Sequence, residues 1–406
     1  MKKIQFGRRV HIPSMVLLIL SLTQSSIYGQ GNSRNLVPKA TGTEGTLSFS
    51  DIPYLKESFI DVSPMDGKDG IWVGELGVDG GKKEMIVELA QEIADGQHGN
   101  FDSFLILHKD KLVFESYYLR GRIDLPHPQA SATKAYTSLI LGRAIQLGYL
   151  TMEDLDKPLI SFLKDLDLTK LVDGAERITL HDALTMRSGM RLTSQQKEEF
   201  EKNPNQLKGQ GLVQTYLENT EPITSASQSF KYQDDPILIM QVIDAVVPGS
   251  AEEFIKEELL DKLGITRYNW QLNVSGVPEA GWLTSMTSRD MAKWGLLTTN
   301  KGKWNGEQLV PEAFIDKAVN RIVLQADDEN FSDYGSVSNI GYGYYWWQAD
   351  LKANNRSYFS TSAQGGSGQY IVLIDELDLI VVTTVHHLEI SVLQLVAERV
   401  IPAFAN

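Results

Sequence analysis

The stretch "SATKAYTSLILGRAIQLG", residues 131–148, places one lysine, Lys134, a single turn into a helix that is otherwise apolar on most of its faces. A charge in such a helix needs a reason, and residues three apart on a helix share a face. The ammonium of Lys134 would therefore lie beside the hydroxyl of Ser131. Burial disfavours the charged form of a lysine, so a dry setting makes a base available near neutral pH. Ser131, at the first turn, would also gain the helix dipole and offer its own N–H to a developing oxyanion. The plain alternative makes Ser131 an N-cap and Lys134 a snorkelling side chain.

The spacing alone decides nothing, because Ser-x-x-Lys occurs three times: Ser131 with Lys134, Ser161 with Lys164, and Ser194 with Lys197. The second sits among Asp165 and Asp167, and the third in the charged "SQQKEEF", where neither lysine has cause to lose its proton. Two further elements favour the first. "SFKYQDDPILIMQVIDAVV" sets Tyr232 on a polar entry just before an apolar helix, where it could relay a proton. "TSAQGGSGQYIVLIDELDLIVVTT" sets glycines ahead of a strand, so a backbone N–H of Gly366 or Ser367 could be a second oxyanion donor.

Around these lie strands at both ends of the chain and helices between. "MIVELAQEIADG" reads as a helix capped at Gly96, and "SFLILH" and "KLVFESYY" as a hairpin turned by "KD". "LISFLKDL", "LHDALTMRSG" and "DPILIMQVIDAVV" carry helical stripes, "SRDMAKWGLLTTNKG" one more helix, and strands return in "SYFSTSAQ", "QYIVLIDE" and "LDLIVVTTVHH" before a closing helix. The order predicts an α+β fold: an antiparallel sheet built from both chain ends, flanked by helices, with an inserted helical subdomain and a cleft between the layers.

Residues 1–29 read as a secretory signal, with Lys2, Lys3, Arg8 and Arg9 before an apolar run from Met15 to Leu22 and a cleavage point near Gly29. That run is far shorter than the roughly 20 residues of a membrane span, so an exported, periplasmic or secreted protein without a membrane span is expected. Residues 30–99 read as a leader, mobile to about Gly45, followed by an N-terminal segment without an evident role, and 100–406 as the main domain. Without the signal, 34 of the 38 Lys and Arg remain against 52 Asp and Glu, a charge of −18 with no basic patch, which argues against a nucleic-acid partner. The absence of cysteine excludes disulfides and thiol chemistry. The seven His form no ligand spacing, so neither metal nor cofactor is expected. His127 reads as wall or solvent, His386 and His387 as structural, Arg187 as a capping residue, and Tyr342, Tyr344, Trp346 and Trp347 as core or cleft lining.

Together, Ser-x-x-Lys opening a buried helix, a tyrosine tripeptide about a hundred residues on and a glycine-rich strand entry near the C-terminus resemble the three motifs of the β-lactamase and penicillin-binding-protein superfamily. "ITLHDALTMRSGM", "GWLTSMTSRDMAKWGLL" and "GYGYYWW" resemble its class C β-lactamase-related branch of carboxylesterases and 6-aminohexanoate-dimer hydrolases, over Phe101 to Ile401. The resemblance implies Ser131 as nucleophile, Lys134 as its base and Tyr232 as proton relay. Two departures bear on substrate. The middle motif ends in Asp234 where class C enzymes have Asn. The third reads Ala363-Gln364-Gly365 or Gln364-Gly365-Gly366, so the cation that would meet a substrate carboxylate is missing. The expectation is therefore an esterase or amidase acting on a small substrate, with Gln364, Gly366, Ser367 and Asp234 at the binding face. The runners-up are a D-alanyl peptidase or weak β-lactamase, and, from another class, an inactive binding or sensing domain. The sequence gives no oligomeric state.

Overall fold

A computed structural model describes residues 36–326 and 332–405. The proposed signal, residues 1–29, lies outside the described residues. Among the latter, no helix is long and apolar enough to cross a membrane.

The hairpin forms as expected. Strands β3 (Gly99–His108) and β4 (Lys111–Tyr117) are joined through Lys109 and Asp110, both left-handed at φ 50° and 63°, the geometry whose twist matches two antiparallel strands. Edge strands β1 (Phe59–Asp61) and β2 (Trp72–Val73) join β4, β2 in parallel. The late strands are β5 (Val337–Tyr342), β6 (Trp347–Ala353), β7 (Arg356–Gly365), β8 (Gln369–Ile374) and β9 (Leu379–Leu388). The sheet runs β1-β4-β3-β9-β8-β7-β6-β5, so β9 pairs with β3 and closes the sheet from both ends of the chain.

Helices cover this sheet. Helix α1 (Lys83–Ala94) buries Ile86, Leu89, Ala90 and Ile93, a stripe at i, i+3, i+4 and i+7, and ends at Gly96 with φ 75°. Near the C-terminus, Val392–Leu395, Val396–Val400 and Ile401–Phe404 form one helical run, its middle turn widened to the π form, against α1. The middle of the chain supplies α2 (Thr133–Gln146), α3 (Ser194–Glu201), α4 (Asp235–Val246) and α5 (Ser288–Thr299). Helix α5 lies on the sheet where Gly295 meets Ile371 and Ile380, a Cβ there falling 3.0 Å from each. Tyr136 of α2 stacks on Trp294 of α5 at 4.8 Å.

Three expectations change. "LISFLKDL" is not a helix: one 3-10 turn, Leu159–Phe162, follows Pro158. The side chains of Gln210 and Gln214 then accept from the backbone N–H groups of Asp165 and Asp167, at 2.9 and 2.7 Å, in place of helical carbonyls. Nor does Ser131 open an α-helix directly, since it occupies a 3-10 turn, Ala130–Ala132, ahead of α2, with Ala130 at φ 47°. Finally, the described part of the expected leader is pinned down. The Pro38 carbonyl accepts from Ile123, the Ala40 N–H donates to Asp124, and Glu44 pairs with the buried Arg122 at 2.8 Å.

Candidate active site

Helix α2 is buried from Thr133 through Ile145, on every face, so it runs through the interior. Lys134 is carried with it and is only 8 % exposed. Its Nζ donates to Ser131 Oγ at 3.1 Å and to the Gly281 carbonyl at 3.0 Å, and lies 4.8 Å from the centre of the Tyr232 ring. Tyr232, about a hundred residues on in sequence, thus meets the serine and the lysine at one point.

Tyr232 owes its place to the turn beside it. Lys231 N–H donates to the Met186 carbonyl, and Gln233 Nε2 to the Met190 carbonyl and to Asp235 Oδ1, at 2.9, 2.7 and 2.9 Å. Asp235, wholly buried at the start of α4, accepts from Ser188 N–H and Oγ at 3.0 and 2.8 Å. Burial pushes its carboxyl up to about 6, against those hydrogen bonds, which favour the ionised form. The Tyr232 ring packs on Trp347, centroids 5.3 Å apart.

The third motif reaches the serine loop by backbone. A Cβ on Gly365 would fall 2.3 Å from the Gln129 carbonyl, so only glycine lets β7 lie against the chain two residues before Ser131. Gly366 follows with open space around it, and Ser367, at φ 106°, forms the exposed turn to β8. Gln364 donates to Ser362 Oγ at 2.8 Å and, with Trp347, borders a cavity of about 230 Å³.

A larger cavity, about 400 Å³, opens beside Lys134, with Lys197, Asp234, Glu279, Tyr216 and Trp282 in its wall. Asp234 lies on this cavity, its carboxylate ion-paired with Lys197. That lysine, read in sequence as part of a charged run with no cause to lose its proton, is carried by α3 onto the cavity. Lys164, in contrast, is exposed. Glu279, Gly281 and Trp282 were not named as site residues, because they lie about 150 residues from Lys134 in a stretch with no periodicity; Gly281 and Trp282 open the family-like "GWLTSMTSRDMAKWGLL", but nothing marks Glu279.

His127 is also corrected. It is neither cleft wall nor solvated but buried, its Nε2 3.0 Å from Asp102 Oδ2, which His386 Nδ1 shares at 2.8 Å. Burial opposes ionisation of Asp102, yet the two histidines overcome it and hold the carboxyl below the usual aspartate range. Tyr342, Tyr344 and Trp346 belong to the core. Arg187 bonds Thr185 near the end of its short helix, at 3.3 Å. No group of His, Cys, Asp and Glu that could hold a metal occurs among the described residues.

Fold and site together define a serine hydrolase. The chain belongs to the beta-lactamase family, whose model matches residues 88–397. Among solved structures it is similar to a protein assigned as a 6-aminohexanoate-dimer hydrolase from Bacillus anthracis, with TM-score 0.58 and 19 % identity over 83 % of this chain and 87 % of that one. It is also similar to a class C beta-lactamase mutant, TM-score 0.56 and 14 % identity over 79 % and 95 %. A D-stereospecific amidohydrolase from Streptomyces sp. gives TM-score 0.55 and 15 % identity over 75 % and 95 %. At these identities the likeness speaks for the fold. No curated protein matches the chain.

Proposed function

We propose that the protein cleaves an ester or amide bond of a small substrate through an acyl-enzyme on Ser131. The observation that carries this reading is the buried Lys134 amine, 3.1 Å from the Ser131 hydroxyl and held by the Gly281 carbonyl. Lys134 takes the Ser131 proton as the oxygen attacks the carbonyl carbon, and the N–H groups of Ser131 and Gly366 receive the oxyanion. As the tetrahedral intermediate collapses, Tyr232, beside the newly formed ammonium, passes a proton to the leaving oxygen or nitrogen. The Lys134 ammonium reprotonates Tyr232; water then attacks the acyl-enzyme, its proton passing through the same pair to Ser131 Oγ as the acid leaves.

The missing cation of the third motif speaks against substrates that end in a carboxylate, as penicillins and D-alanyl peptides do. Lys197 does not replace it, since Asp234 already neutralises that ammonium. Gln364, Gly366, Ser367 and Asp234 form the binding face in this reading. We also propose that residues 1–29 direct export, for which N-terminal sequencing of the mature protein is the check.

The test pairs a p-nitrophenyl short-chain ester with a chromogenic cephalosporin, on wild type and Ser131→Ala, with intact-mass detection of the adduct. Ester turnover and an acyl adduct on wild type alone are expected. Equal rates for both proteins, with no adduct, would return the chain to the binding-domain reading, and faster cephalosporin turnover would make it a β-lactamase.

A further inference from the structure

Glu279 is a buried carboxylate that the reaction described above does not use. It lines the same cavity as Lys134, and its Oε1 accepts from the Gly281 N–H at 3.0 Å. The carbonyl of that same residue, Gly281, accepts from Lys134 at 3.0 Å. One residue is therefore gripped at both ends, by the carboxylate and by the amine. Its neighbours are fixed as well: Trp270 Nε1 donates to the Glu279 carbonyl at 2.7 Å, and Thr137 of α2 to the Ala280 carbonyl at 2.8 Å.

The two charged ends also face one gap. A Cβ built on Gly281 would lie 3.5 Å from Glu279 Oε1 and 3.6 Å from Lys134 Nζ. No direct ion pair joins the two groups, so the Gly281 peptide is the contact they share. Burial pushes the Glu279 carboxyl up from the usual glutamate value, while the Gly281 N–H and the Lys134 charge pull it back down. Other charges on this cavity are Asp234 and Lys197, which neutralise one another, and Glu201 at its exposed edge; Tyr232 borders Lys134 from the α4 side.

We infer that Glu279 is a positioning residue for Lys134, aiming the amine through the Gly281 peptide and acting as counter-charge to the ammonium formed when Ser131 loses its proton. The inference rests on the acyl-enzyme reading and extends it. An anion beside an amine favours the protonated amine, which makes a stronger base once the proton is off and stabilises the ammonium of the transition state. Removing the charge while keeping the shape should therefore move the pH profile as well as the rate.

The experiment is the pH dependence of kcat and kcat/KM for a p-nitrophenyl ester with wild type, Glu279→Gln, Glu279→Asp and Ser131→Ala, with a thermal melt of each. Gln retains an acceptor for the Gly281 N–H. For Glu279→Gln the acid limb of kcat/KM should move about one pH unit lower, and the plateau kcat fall about three- to tenfold with little change in KM. Glu279→Asp should return the limb toward its wild-type position. A Glu279→Gln profile that overlays the wild type, or equal losses in both Glu279 variants that follow a lowered melting temperature, would overturn the inference. If Ser131→Ala is inactive in those cases, the acyl-enzyme reading survives alone; if it matches wild type, both fall together.

Discussion

The lysines of two Ser-x-x-Lys pairs with identical spacing end up on the same cavity and do different things. Lys134 rides on α2, which is buried on every side, and points its amine at Ser131. Lys197 rides on α3, a helix with no buried residue, and gives its charge to Asp234. Helical spacing sets who can touch; the helix's surroundings set which partner each lysine meets. The largest test of this contrast is Ser131→Ala against Ser194→Ala. Ester turnover should fall at least about 10³-fold in the first, and stay within about twofold in the second. Lys134→Ala should cost on the order of 10²- to 10⁴-fold in kcat. Comparable losses from the Ser194 variant would break the contrast.

The same lesson applies to two adjacent glycines. Gly365 and Gly366 look alike in sequence, yet a Cβ on the first meets the Gln129 carbonyl, while one on the second meets nothing within 4 Å. Gly365→Ala should therefore displace β7 from the Ser131 loop, costing about 1–3 kcal/mol in urea unfolding and most of the activity. Gly366→Ala should fold normally. Equal stability for both would mean that the serine loop yields.

The hairpin, the buried α2 and the closing strands were legible because each declares itself locally: period two around "KD", or an apolar surface all round a helix. "LISFLKDL" was not, since its fate is settled by Gln210 and Gln214, 45 and 47 residues away. In the site, Ser131, Lys134 and Tyr232 could be found through the order of three motifs. Glu279 and the inward turn of Lys197 could not, because they arrive by tertiary packing and carry no spacing. The Asp102 cluster hid for the same reason: His127 and His386 lie on segments that meet only when β9 closes against β3.

Asp235 sharpens the comparison from the Tyr232 side, where burial acts on an acid in place of a base. Its carboxyl, raised to about 6 in the folded protein, is easier to protonate there than in the unfolded chain, where about 3.9 is usual. It therefore contributes stability that is fully present below about pH 4 and lost as pH rises through 6. With a shift near two units, the linked amount is on the order of 2–3 kcal/mol. Asp235→Asn removes this titration, so the stability of the variant relative to wild type should rise between pH 4 and pH 7. A difference that stays flat with pH would place the proton elsewhere.

The smallest effect is the one most able to break the contrast. Lys197→Ala leaves Asp234 without its partner on the rim of the cavity, where the pair is partly solvated and worth about 1 kcal/mol or less. An unpaired carboxylate there acts on substrate entering the cavity, farther from the bond being broken than Lys134. KM should change about two- to fivefold, less at high ionic strength, while kcat and the acid limb of the pH profile hold. A collapse of kcat would mean that the second lysine shares in proton transfer, and that exposure alone does not separate the two pairs.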